Sequence, residues 1–107
     1  MPNTFKNASV INSGVSTRTD VYTCPALTTS VVFTAYFSNI TVSPTNVTVE
    51  VYDDSGTAHK VIGKDLPIPV SSTLEFGKIS LETGDKVVIT SQNDASVEAF
   101  LNILEIT

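Results

Sequence analysis

The stretch NVTVEVYDDSG, residues 46–56, combines a strict two-residue alternation with a tight-turn signal. Val47, Val49 and Val51 alternate with polar side chains, as expected of a strand with one buried and one exposed face. The Asp-Asp-Ser-Gly segment favours a turn, because Asp side chains bond to nearby backbone and Gly tolerates positive φ. A second strand segment, residues 59–63, follows this turn. The pattern therefore predicts an antiparallel hairpin.

Similar strand segments recur along the chain, separated by turn residues. The 14 Val, 8 Ile and 15 Thr residues support strands, because β-branched side chains pack well on a pleated surface. We therefore predict an all-β fold, a single-domain antiparallel β-sandwich over residues 1–107, jelly-roll or immunoglobulin-like, with about eight strands. The strand segments are residues 5–11, 21–23, 30–40, 46–52, 59–63, 74–76, 79–81, 87–91 and 97–106.

Local features refine this prediction. Alternation in the segment 30–40 predicts a buried side and an exposed side, and we expect most of the five Phe residues to lie in the core. The predicted buried side comprises Val31, Phe33, Ala35 and Phe37, and the exposed side comprises Val32, Thr34, Tyr36 and Ser38. Pro67 and Pro69 cannot donate to a central ladder, so residues 65–72 are expected at an edge or in a crossing segment. Gly77 is expected at a bulge or bend.

The last predicted strand is apolar on both faces. Its core side comprises Val97, Ala99, Leu101 and Ile103, whereas Phe100, Leu104 and Ile106 lie on the opposite side. A two-sided apolar strand is covered on both faces or changes face at a bulge. In a thin two-layer domain, the second cover can be another copy of the chain, which makes Phe100, Leu104 and Ile106 a candidate self-association interface. The alternative is a bulge near Asn102 that returns Leu104 and Ile106 to the core.

Charge and hydropathy exclude several classes of partner. The net charge is −5, and the six basic residues never occur in a run of two, so we expect neither nucleic acid nor an anionic membrane as a partner. No segment approaches the length of a membrane helix or a signal peptide, so we expect synthesis in the cytoplasm without export.

Residues with catalytic or metal-binding potential are few. The sequence contains one Cys and one His, too few for a structural zinc site, and a Cys24–His59 pair is the only nucleophile–base arrangement of that kind available. His59 follows a turn and is expected to be a solvated strand residue. Cys24 precedes a proline and has no neighbouring cation, so we expect a buried or half-buried thiol that serves packing. We predict no catalytic residues, no metal and no cofactor.

Four segments resemble a group of small virion proteins of tailed bacteriophages. They are TFKNASV at 4–10, VYTCPALTTSVVFTAYFSNI at 21–40, LETGDKVVI at 81–89 and ILEIT at 103–107. In that group a Tyr-Thr-Cys-Pro segment opens a strand, a Leu-x-x-Gly-Asp hairpin comes late, and the chain ends on a similar strand. The resemblance implies a non-enzymatic β-sandwich that decorates or cements a capsid, or belongs to a tail. It further implies a homo-oligomer, with a trimer favoured, bound to major capsid or tail proteins in the virion.

A carbohydrate-binding or receptor-binding module of a tail or fibre is the alternative function. Sugar platforms use exposed aromatic rings, and Tyr36 and Tyr52 fall on the polar side of their strands. The preferred interpretation of these tyrosines is that they are ordinary cross-strand aromatic residues.

Overall fold

The computed structural model describes residues 3–107, which form nine β-strands and no helix. The strands are β1 (Asn3–Ile11), β2 (Thr19–Thr23), β3 (Thr29–Asn39), β4 (Thr45–Asp53), β5 (Ala58–Ile68), β6 (Thr73–Phe76), β7 (Ile79–Leu81), β8 (Lys86–Thr90) and β9 (Val97–Ile106). The predicted hairpin at residues 46–63 is confirmed, since β4 and β5 pair antiparallel up to Asp53 opposite Ala58.

The strands form two antiparallel sheets packed face to face. The first sheet has the order β1-β9-β3-β6, with β7 also paired to β3, and the second has the order β2-β8-β4-β5. β6 and β7 both pair with β3, so they occupy a single strand position at the edge of the sheet. This position is interrupted at residues 77–78, where the sequence predicts a bend at Gly77. The result is a sandwich of eight strand positions whose order is that of a jelly roll, not of an immunoglobulin domain.

The core lies between the two sheets and is built from alternate residues of the strands. The largest fully buried side chains are Phe37, Ile68, Leu81, Ile89, Leu101, Ile103, Val32, Val47, Val49, Val87, Val88 and Val97. Except for Val88, which lies outside the main cluster, these residues pack into one cluster with the half-buried residues around it. The core therefore depends on the period-two pattern of the sequence.

The predicted faces of β3 are wrong in the first half of the strand. Val32 is fully buried and Phe33 is exposed, the reverse of the expected arrangement, whereas Ala35 and Phe37 are buried as expected. The cause is a bulge, because Val32 pairs with Ile103 and Thr34 with Asn102, which leaves Phe33 as an extra residue.

The bulge proposed as an alternative near Asn102 of β9 is also wrong. β9 pairs with β1 along residues 98–106 without a register shift, and its two faces alternate throughout. The irregularity lies on the neighbouring strand, at Phe33, opposite Asn102. Leu104 and Ile106 therefore stay on the outer side of the first sheet.

The prolines lie where the sequence indicated. Pro67 belongs to β5, the edge strand of the second sheet, and Pro69 follows the end of that strand. β5 has two register shifts against β4, and Asp65 adopts a left-handed backbone with φ 48°. The prediction of an edge segment is confirmed.

Candidate functional site

Cys24 and His59 do not form a catalytic pair. Cys24 follows β2 and His59 lies on β5, and these strands are the two opposite edges of the second sheet. With two strands between them, the separation is about 14 Å at the usual strand spacing. His59 instead packs against the ring of Tyr52, with centroids 4.9 Å apart.

Cys24 is a packing residue, as the sequence indicated. It is 2% exposed, and its thiol contacts the Thr28 carbonyl at 3.3 Å and Ser30 Oγ at 3.2 Å. Its backbone joins the turn at residues 82–85, since Cys24 N donates to Asp85 O at 2.8 Å and Gly84 N donates to Cys24 O at 3.0 Å. Two of the segments that carry the bacteriophage resemblance are therefore bonded to each other at one corner of the fold.

The turn at 82–85 needs its glycine and its aspartate. Gly84 has φ +88°, and a Cβ there would lie 2.6 Å from the Asp54 carboxylate. Asp85 is 7% exposed and accepts hydrogen bonds from the backbone of Asp54 at 3.1 Å and of Glu82 at 2.9 Å. The Gly-Asp motif thus has a structural role.

The candidate interface residues lie together on the outer face of the first sheet. Phe100 is 38% exposed, Ile106 is 37% exposed and Leu104 is half-buried. In the strand register Leu104 lies between Phe5 of β1 and Val31 of β3. Side chains from three neighbouring strands therefore form an outer apolar face, defined as Phe5, Val31, Phe33, Phe100, Leu104 and Ile106.

Three residues of the outer apolar face were not identified from the sequence, namely Phe5, Val31 and Phe33. The rings of Phe5 and Phe33 stack with centroids 6.0 Å apart, and these two residues are 75% and 36% exposed. A shallow groove of about 230 Å³ runs beside them, lined also by Asn7 and Asn102. With Phe100 included, three of the five Phe residues are exposed, so the expectation that most lie in the core is wrong.

The two tyrosines considered for sugar binding do not share a surface. Tyr36 lies on the outer side of the first sheet, opposite Phe100. Tyr52 lies on the second sheet, between His59 and Lys86, whose Nζ is 5.6 Å from the ring centroid. They cannot form one platform.

A polar cleft of about 630 Å³ lies on the outer side of the second sheet. Within it, Arg18 forms a two-point ion pair with Glu50, with Nε to Oε1 at 2.9 Å and Nη2 to Oε2 at 3.4 Å. The hydrogen bond with Glu50 raises the pKa of Arg18. The cleft is lined by Ser16, Thr17, Arg18, Thr48, Glu50, Val61, Lys64 and Thr90.

Within residues 3–107, no group of three or more His, Cys, Asp or Glu side chains is arranged to hold a metal ion. No helix suited to crossing a membrane occurs in that part of the chain.

Comparison with known proteins supports the fold. A solved chain described as part of Bacillus endospore appendages, "a novel family of disulfide-linked pili", matches with a TM-score of 0.61 and 15% identity. The match covers 98% of this chain and 88% of that chain. At this identity the likeness establishes the shared β-sandwich fold. No family model matches the sequence, and no curated protein matches it.

Proposed function

We propose that this protein is a non-enzymatic structural component of a bacteriophage particle, a capsid decoration or cement protein that associates with itself and binds the particle surface. The observation that carries the proposal is the outer apolar face. Soluble monomers seldom expose contiguous apolar surface of this kind, and such a patch indicates a contact with another molecule. The assignment to a bacteriophage particle rests on the resemblance of four sequence segments to virion proteins of tailed phages.

The composition of the outer apolar face suits a protein contact. Phe5, Phe100 and Ile106 are each at least 37% exposed, and aromatic side chains dominate the energetics of interfaces. Fully covering an exposed Phe or Leu side chain contributes roughly 1.5–3 kcal/mol, so a few such residues can support association. Glu98 and Glu75 lie towards one end of this side of the sheet and provide a polar rim.

The structural neighbour supports a self-assembling role without supporting its covalent chemistry. Its description refers to disulfide-linked pili. A subunit linked by disulfides to two neighbours needs at least two cysteines, whereas these 107 residues contain one, and Cys24 is buried. We therefore expect contacts between copies of these 107 residues to be non-covalent.

The assembly expected from the resemblance is a trimer located in the virion and made in the host cytoplasm. Association through the outer apolar face brings copies together without using the second sheet. The second sheet then remains available for major capsid or tail proteins.

Light scattering combined with co-sedimentation tests the proposal. The wild-type protein should associate and should co-sediment with empty heads of the phage that carries its gene. Exchanging Phe100 and Leu104 for Thr should weaken both. Val42→Thr is the matched control, because Val42 is 93% exposed in the loop after β3, away from the outer apolar face. A protein that stays monomeric, and that remains in the supernatant while the heads sediment, would refute the proposal.

A sugar-binding role in a tail or fibre is the second candidate, and the polar cleft favours it. Hydroxyl, ammonium and guanidinium groups in a space of this size can bind sugar hydroxyls. Glycan-array binding that is lost in Lys64→Ala, while Tyr36→Ala and Tyr52→Ala retain it, would support this function over capsid decoration.

A further inference from the structure

Each sheet ends in two edge positions, and three of the four carry features that discourage pairing with another chain. β5 contains Pro67 and two register shifts. β2 has five residues and a register shift between Asp20 and Tyr22. The edge formed by β6 and β7 is divided into strands of four and three residues. Short strands, prolines and bulges are the usual means by which edges avoid new partners.

β1 has none of these features. Its nine residues contain no proline and pair with β9 without a register shift. Its one charged side chain, Lys6, lies 3.5 Å from Glu105 of the same chain, and this ion pair partly compensates the charge. A long and regular edge strand of this kind is prone to pair with another strand.

The alternation of hydrogen bonds along β1 shows which of its backbone groups can bond to another strand. Asn12 continues the register of β1, and its N–H donates to Val97 O of β9 at 3.0 Å. Residues whose backbone faces the partner alternate with residues whose backbone faces away. The even-numbered residues of β1 therefore bond to β9, and the odd-numbered residues direct their N–H and C=O groups to the open edge. The latter are Asn3, Phe5, Asn7, Ser9 and Ile11.

We propose that β1 pairs antiparallel with β1 of a second copy of this chain, about a two-fold axis at Asn7. In this register all nine residues of one β1 strand lie opposite residues of the other. The N–H and C=O groups at the open edges of the two strands can then form up to about ten hydrogen bonds. It also places Lys6 opposite Ala8 of the second copy. The neighbouring register centred on Lys6 sets two ammonium groups directly opposite each other, which is unfavourable.

The pairing also fits the side chains. Odd-numbered residues of β1 lie on the outer side of the sheet, so Phe5 would face Ser9 of the second copy. Ser9 is paired with Phe100 in its own chain. Because serine is small, the Phe5 ring can extend over it towards Phe100 of the second copy. The two outer apolar faces then join across one continuous sheet.

This inference goes beyond the proposed function, because it requires no phage component. It uses the backbone of β1, whereas the proposed trimer uses side chains of the outer apolar face. Both contacts can occur in one assembly, with trimers joined in pairs through their edges. Their failures are distinguishable, since only the edge contact protects the open backbone amides.

Amide hydrogen exchange of the wild-type protein tests the edge contact. At concentrations where light scattering shows association, the amides of Phe5, Asn7 and Ser9 should exchange at least about 10-fold more slowly than in dilute monomer. The amides of Lys6 and Ala8 should be protected at both concentrations, because they bond to β9. Fast exchange at Phe5, Asn7 and Ser9 in an associated sample would overturn the inference, as would a monomer at every concentration.

A proline at the centre of the register provides an independent test. Asn7→Pro removes the backbone N–H of residue 7, which faces the open edge, and leaves every hydrogen bond between β1 and β9 in place. Prolines at such positions are tolerated on edge strands. The variant should fold and should weaken edge pairing at least about 10-fold. Asn7→Thr, which keeps the N–H, should pair like the wild type. Unchanged association of folded Asn7→Pro would overturn the inference, and the exchange experiment decides the matter if this variant does not fold.

Discussion

Phe5 and Phe33 stack with their ring centroids 6.0 Å apart and an interplanar angle of 26°, although β9 lies between their strands. The contact exists because Phe33 is the extra residue of the β3 bulge and is displaced to the outer side of the sheet. A bulge therefore converts a residue of the predicted core into part of the outer apolar face.

Deletion of Phe33 should be tolerated. Without the bulge residue, Val32 and Ala35 still point inwards in a regular alternation, so the expected loss is the ring pair, about 0.5–1.5 kcal/mol. Deletion of Tyr36 is the matched control, because it would turn the buried Phe37 outwards and should unfold the protein. Circular dichroism melts of both variants check this, and an unfolded Phe33 deletion would contradict the assigned bulge.

Most of the fold could be predicted from the sequence, because alternation directly reports which side of a strand is buried. All nine strand segments were located, including the hairpin at 46–63. The bulge was not predictable, because Val31, Val32 and Phe33 are all apolar and each fits the buried or the exposed side of the strand equally well. The pairing of β6 and β7 with one strand, which makes eight positions from nine strands, depends on contacts distant in sequence.

Asn12 should be essential for stability. It is 1% exposed, and its Oδ1 accepts hydrogen bonds from Ser96 N and Val97 N, both at 2.8 Å. Asn12→Ala leaves these buried donors without their acceptor, at a cost of about 2–4 kcal/mol. Urea unfolding measures the loss. Asn46→Ala, which removes one exposed bond to Gln92 N, should cost below about 1 kcal/mol, and equal losses would contradict the account.

Stability should fall at alkaline pH because of Tyr22. Burial, followed by the hydrogen bond that its hydroxyl donates to Glu105, raises the pKa of Tyr22 well above its usual value. The native state therefore favours the neutral phenol, and its contribution is intact below about pH 10 and is lost as the pH rises further. Urea unfolding of wild type and Tyr22→Phe at increasing pH checks this. The variant should lose less stability above pH 10, and identical slopes would contradict the assignment.

The Cys24 thiol should be inert in the folded protein. Its 2% exposure predicts that a thiol reagent reacts roughly 100-fold or more slowly than in urea. Association should also be unchanged by reducing agents and by Cys24→Ala, since the proposed contacts between copies are non-covalent. Rapid labelling under native conditions, or dissociation on reduction, would show that the cysteine has another role.

The candidate interface was only partly predictable. Phe100, Leu104 and Ile106 were identified because β9 is apolar on both sides, and the structure places them on one outer side, although their role as an interface stays a prediction. Phe5 was assigned only to a strand, because neither its sheet position nor the neighbouring Phe33 can be read from local pattern. The Cys24–Gly84–Asp85 corner likewise joins segments about sixty residues apart.

Sedimentation equilibrium from about 1 μM to 1 mM tests the central claim, that the outer apolar face and the β1 edge are contact surfaces between copies. The wild-type mass should rise with concentration to a multiple of the chain mass. Variants altered at Phe100 and Leu104, or carrying Asn7→Pro, should each lose part of that rise. A wild-type protein that keeps the mass of one chain over the whole range would contradict the account.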